Sequence, residues 1–85
     1  MRYLVLDAKR LNDRETAHDY LAKQLELPEW YGRNLDALAD CLGELGGQTT
    51  IILTEPERLD RYGKQILGVF EEMASQPHAF SFFTV

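Results

Sequence analysis

Thr49-Thr50-Ile51-Ile52-Leu53-Thr54 is a run of β-branched and apolar residues, the composition of a half-buried or buried strand. What flanks it sets the fold class. Upstream, Leu35, Leu38, Cys41, Leu42 and Leu45 recur at helical spacing behind Asn34, a residue type that caps helix N-termini, until Gly43, Gly46 and Gly47 weaken the helix. Downstream, Pro56 suits the first turn of a short helix through Leu59. Tyr62 or Gly63 then opens a longer helix whose apolar face carries Ile66, Leu67, Val69, Phe70 and Met73 and which Pro77 stops. Phe80 to Val85 reads as a closing strand.

Further upstream, Arg2-Tyr3-Leu4-Val5-Leu6 ended by Asp7 has the pattern of a strand buried on both faces. Asn12 with Glu15 predicts a capping box ahead of Ala17, Tyr20, Leu21 and Leu25, which recur at helical spacing. Asp19 and Lys23, at i and i+4, predict a weak surface ion pair, with Arg10, Arg14 and Gln24 among the solvated positions. Strands alternating with helices predict an α/β fold: a small three-stranded parallel sheet packed with helices, in the order strand, helix, helix, strand, short helix, helix, strand. At 85 residues, without repeat or linker, residues 1–85 are expected to form one domain.

Nine Lys and Arg against 14 Asp and Glu give a net charge of -5. That sign repels phosphate backbones and attracts basic partners, which argues against direct nucleic-acid binding. A lone cysteine, Cys41, forms no internal disulfide, no signal-peptide pattern opens the chain, and a cytoplasmic location is expected. The apolar runs fall far short of the roughly 20 residues that span a bilayer. An enzyme reading would have to pair Cys41 with His18 or His78. Cys41 reads as a buried helix residue, His18 as a surface histidine and His78 as a loop residue. No metal-ligand spacing is present, so no catalytic residue, metal or cofactor is expected.

Between Leu27 and Asp40 an aromatic loop, Leu27-Pro28-Glu29-Trp30-Tyr31-Gly32, runs into the helix bearing Asp36 and Asp40. Pro28 disfavours helix at Leu27, and Gly32 can take a positive φ where the chain turns. The two carboxylates, at i and i+4, share a face. Like charges so placed cost an isolated helix about 0.2–0.5 kcal/mol, and Asp40, near the C-terminus, meets the unfavourable end of the helix dipole. Two readings follow: a binding surface selected against local stability, or an ordinary solvated acidic face.

Leu27-Pro28-Glu29-Trp30-Tyr31-Gly32-Arg33-Asn34-Leu35-Asp36-Ala37-Leu38-Ala39-Asp40-Cys41-Leu42 closely resembles the signature segment of the barstar family, intracellular inhibitors of ribonucleases such as barnase. The resemblance extends more weakly over the chain, including Val69-Phe70 and Glu72 on the last helix. It implies that Asp40 enters the nuclease cleft in place of a substrate phosphate, its two acceptor oxygens meeting arginine forks. Asp36 matches a second contacting acid and Glu72 an acidic rim residue. Trp30 stands where the family has a tyrosine that packs over the catalytic histidine, while Tyr31 is expected to pack inward. Gly32, Asn34 and Leu35 are expected to set the turn and helix start, with Asn34 at the interface edge. Ala39 and Leu45 replace family tryptophans, and Gly43-Glu44 a rim Thr-Gly pair, departures that suit a weaker complex or a differently shaped cleft. The implied partner is a basic, secreted, guanyl-type ribonuclease in a one-to-one complex, the free inhibitor being monomeric. The alternative is an interaction module that keeps the barstar scaffold but binds a different basic protein or toxin.

Overall fold

Parallel strands cannot be joined by tight turns, so each connection must travel the length of the sheet and is built from helix. The computed structural model describes residues 1–85. Its three strands, β1 (Arg2–Asp7), β2 (Thr49–Thr54) and β3 (Ser81–Thr84), form one parallel sheet in the order β1-β2-β3. Leu4 pairs with Ile51 and Leu6 with Leu53, and Ile51 in turn pairs with Phe82. The first connection carries α1 (Arg14–Gln24) and α2 (Leu35–Gly43), the second α3 (Arg61–Ala74). The α/β class and the order of strands and main helices agree with the sequence reading, but the short helix after β2 is a 3-10 turn, Pro56–Arg58, entered through a left-handed Glu55 at φ 54°. A second 3-10 turn, Ala8–Arg10, follows β1, where the Asp7 side chain accepts from the Lys9 N–H. No helix is long and apolar enough to cross a membrane.

The strand order explains where the core lies. Right-handed crossovers that step twice in the same direction put their helices on the same side of the sheet. One sheet face, carrying Leu4, Leu6, Ile51, Leu53 and Phe82, therefore meets Leu21, Leu38, Leu42, Ile66 and Phe70 of the helices. Phe70 stacks on Phe82 (centroids 5.3 Å apart) and meets Phe80 edge-on (6.1 Å). The other face is open. β1 is thus not buried on both sides as its apolar run suggested: Tyr3 and Val5 are exposed, because no crossover doubles back to cover them.

Several local expectations change for tertiary reasons. Asp13, not Asn12, caps α1, accepting from the Thr16 N–H at 3.0 Å. Asn12 instead joins the two connections: its amide donates to the Arg58 carbonyl (2.7 Å) and its oxygen accepts from the Asp60 N–H (2.8 Å). This bridge runs so close to α3 that a Cβ at Gly63 would lie 2.6 Å from the Asn12 Oδ1. α3 begins at Arg61, slightly earlier than expected, because Asp60 caps it through the Gly63 N–H. Asp19 pairs with Arg33 across the fold rather than with Lys23 along α1.

Because Phe70 contacts both the β3 strand and its approach, Phe70→Ala is expected to destabilise the fold by about 3–5 kcal/mol, a large share of a small domain's stability, seen as a strongly lowered urea midpoint.

Candidate functional site

The loop between α1 and α2 is fastened from beneath. After the C-cap of α1 the chain turns at Glu26 (φ 53°), and the Tyr31 N–H donates to the Pro28 carbonyl at 3.0 Å, closing a tight turn around Glu29 and Trp30. The two adjacent aromatics part company here. Trp30 at the tip is 73% exposed, whereas Tyr31 is 6% exposed and packs into the core. Trp30 is thus no core residue, and Tyr31 takes the inward position expected of it.

Tyr31 ends on a buried histidine. Its hydroxyl lies 2.5 Å from Nδ1 of His18, and Nε2 of the same ring lies 2.6 Å from the Tyr62 hydroxyl on α3. A neutral imidazole has one donor and one acceptor nitrogen, so one tyrosine accepts from the ring and the other donates to it. His18 is 1% exposed, not the surface residue expected. Its spacing to Leu21 and Leu25, i+3 and i+7, already placed it on the buried stripe of α1. Burial holds its pKa below the ordinary 6.5, with the nearby Arg14 and Arg33 charges adding to the effect. Burial likewise pushes the Tyr31 hydroxyl well up.

At the loop exit it is Arg33, not Gly32, that takes the left-handed conformation (φ 54°), held by its ion pair to Asp19. Gly32 is required for closeness instead: a Cβ there would lie 3.2 Å from that of Ala37. Asn34 caps α2 as expected, its Oδ1 accepting from the Ala37 N–H at 2.7 Å and its Nδ2 donating to the Gly32 carbonyl at 3.2 Å.

α2 buries Leu38, Cys41 and Leu42 and presents Asp36, Asp40 and Glu44 to solvent. Successive acids are four residues apart, about 6 Å along the axis, and form one stripe. None of the three makes an ion pair; the four pairs in the protein are Arg2–Glu26, Lys9–Glu55, Arg33–Asp19 and Arg58–Glu55. No Lys or Arg occurs from Asn34 to Gln48. Asp40 and Glu44 thus sit at the negative end of the helix dipole with no cation on their own segment and none in ion-pair contact. Ala39 is half-buried and Gly43 exposed. A Cβ at Gly43 would lie 3.3 Å from Cε of Met73, so the end of α2 meets the turn of α3 that bears the exposed Glu72. A groove of about 390 Å³ opens beside the start of α2, lined by Arg14, Asn34, Leu35, Asp36, Tyr62 and Gln65. Trp30, Asp40, Glu44 and Glu72 line no cavity. A projecting indole and a convex acidic stripe have the shape to enter another molecule's cleft.

Thiol chemistry finds no support in this arrangement. Cys41 is buried, and burial, then Glu44 and Asp40, raise its pKa above 9.0, keeping it protonated. Both nitrogens of His18 are engaged by tyrosines, and His78 lies exposed in the loop before β3 with φ 63°.

Comparison with known proteins adds two findings. A family model described as "Barstar (barnase inhibitor)" matches residues 1–84. A Bacillus subtilis (strain 168) protein named "Putative ribonuclease inhibitor YrdF" is 38% identical over 77 residues, covering 85% of each chain.

The buried histidine makes stability depend on pH. With its pKa lowered in the fold, His18 takes up a proton more readily in the unfolded chain. Stability is therefore full above 6.5 and is lost as the pH falls from there toward the folded-state value. Melting temperature should drop between about pH 7 and pH 5, before the carboxylates titrate, and His18→Gln should flatten the curve in that window while lowering it throughout.

Proposed function

The chain belongs to the barstar family, and from that premise we propose that it inhibits a small, basic, secreted ribonuclease of the guanyl type by plugging the active site, without being an enzyme itself. The observation that carries this reading is the carboxylate stripe of α2, exposed and free of ion pairs, together with the exposed indole of the loop that leads into that helix.

Asp40 is the plug. A carboxylate offers two acceptor oxygens in the geometry that arginine forks use for phosphate, and in a water-poor cleft each such bond strengthens. The inhibitor thereby satisfies the groups that hold substrate without presenting a bond to cleave. Trp30 supplies the apolar anchor over the catalytic histidine; aromatics at interface centres are frequent hot spots. Because Tyr31 is clamped by His18, the indole is presented with little ordering left to do on binding, which favours affinity. Asp36, Glu44 and Glu72 extend the negative potential around the plug and speed encounter with a basic enzyme. Ala39 and Gly43 provide close, small-residue contact, and Asn34 lies at the edge.

The intended complex is one-to-one, with about 800 Å² buried per partner. The whole of residues 1–85 acts as one inhibitory domain, and the fitting setting is the cytoplasm of a cell that must survive its own nuclease.

Asp40→Ala should weaken inhibition of the cognate ribonuclease by at least about thirtyfold, the lower end for truncating a buried interfacial charge and a range to which complexes of this family contribute. Its thermal stability should stay within about 0.5 kcal/mol of wild type. Asp36→Ala should cost less, and raising salt should slow association of the wild type. The measurement is RNA cleavage by a panel of small basic ribonucleases. Equal inhibition by Asp40→Ala removes the plug mechanism. Failure to inhibit any of them removes the inhibitor reading and favours a scaffold that binds another basic protein or toxin.

A further inference from the structure

The open face of the sheet is mostly apolar. Alternation places Met1, Tyr3 and Val5 of the first strand, Thr50 and Ile52 of β2, and Ser81, Phe83 and Val85 of the last on the side away from the helices. Val85 continues the ladder, its N–H donating to the Leu53 carbonyl at 3.0 Å and its carbonyl accepting from the Glu55 N–H. Across the strands Val5 stands beside Ile52 and Ile52 beside Phe83. Tyr3 is 63% exposed, Val5 58% and Phe83 57%, with Met1 and Val85 more exposed still. An aromatic side chain can bury about 150–250 Å² and an aliphatic one less, so two aromatics and three aliphatics exposed to this degree present at most on the order of 600 Å² of surface. That is the upper limit of what ordinary monomers leave open, about 300–600 Å².

We propose that this face is where two copies of the chain pair back to back, sheet on sheet, in place of a monomeric free state. Charge decides the occupant. No Asp, Glu, Lys, Arg or His side chain lies in the middle of the face; Asp7, at its end, spends its carboxylate on the Lys9 N–H. A charged partner finds nothing to grip here, in contrast to the acidic stripe of α2. The occupant must itself be a neutral, apolar, gently twisted surface of the same dimensions, and this face is that surface. Two-fold pairing lays β2 over β2 with Ile52 near its copy, so the neutral centre meets itself and the chain's net charge of -5 stays at a distance. The half-buried Ile52 and the small polar Thr50 and Ser81 bring the covered area toward the roughly 800 Å² per partner of a stable interface.

The helices lie on the opposite side of the sheet, so a dimer leaves both acidic stripes free. Pairing therefore stands or falls independently of ribonuclease inhibition.

Sedimentation equilibrium of the full chain tests it without any ribonuclease. The wild type should pass from 9.8 kDa to twice that mass as concentration rises through about 100 µM, and Asp40→Ala should do the same. Val5→Lys and Phe83→Lys, both at exposed positions, should stay monomeric with unchanged far-UV circular dichroism. A wild-type chain that remains monomeric up to about 1 mM overturns the proposal and leaves the face to a different protein or to a lipid surface. A dimer that survives both folded lysine variants overturns it as well, by placing the contact elsewhere.

Discussion

A parallel sheet of three strands joined by two right-handed crossovers in the same direction carries its crossover helices on one side only. The order β1-β2-β3 of this protein makes that choice, and most of its other features follow. Inward-facing Leu6, Ile51, Leu53 and their neighbours take all the helix contacts, so α1, α2 and α3 share a single layer and a single core. Their outer surfaces become the displayed faces of the protein, and the reverse of the sheet stays bare.

Within that layer, the aromatic loop is a partition device. Trp30 and Tyr31 are neighbours in sequence but go to opposite environments, because the turn closed on Pro28 directs one outward and the His18 ring receives the other. The same imidazole reaches Tyr62, so one small polar group ties α1, the loop and α3 together beneath the surface. Buried hydrogen bonds of this kind are costly to leave incomplete, and they hold a loop in one conformation more firmly than apolar contact alone. A loop that must present a large indole in a defined pose has reason to be anchored this way.

The acids of α2 show the opposite balance. Asp40 and Glu44 oppose the helix dipole, repel one another, and have no cation on their own segment to offset either effect. Folding would be served better by almost any neutral residue at these positions. In the proposed complex the unfavourable field is what a cationic cleft neutralises, so potential withheld from stability is released on binding.

Features that depend on a few neighbouring residues were determined by the sequence itself. The bounds of β2, the Asn34 cap, the shared face of Asp36 and Asp40, and the exchange of strands with helices all follow from period and capping chemistry that act over one or two turns. The sixteen-residue segment from Leu27 to Leu42 marked the family on the same local scale. Tertiary structure alone decided what depends on distant partners. The apolar run of β1 could not reveal that one of its faces would be bare, because that is set by the handedness of a connection more than forty residues long. His18, whose spacing already put it on the buried stripe of α1, acquired its two partners only when Tyr31 and Tyr62 closed over it, Asp19 took Arg33 in place of Lys23, and Asn12 gave up a cap to bridge two loops. Side chains with several local options settle on the partner that folding brings nearest, and that partner is chosen by the topology.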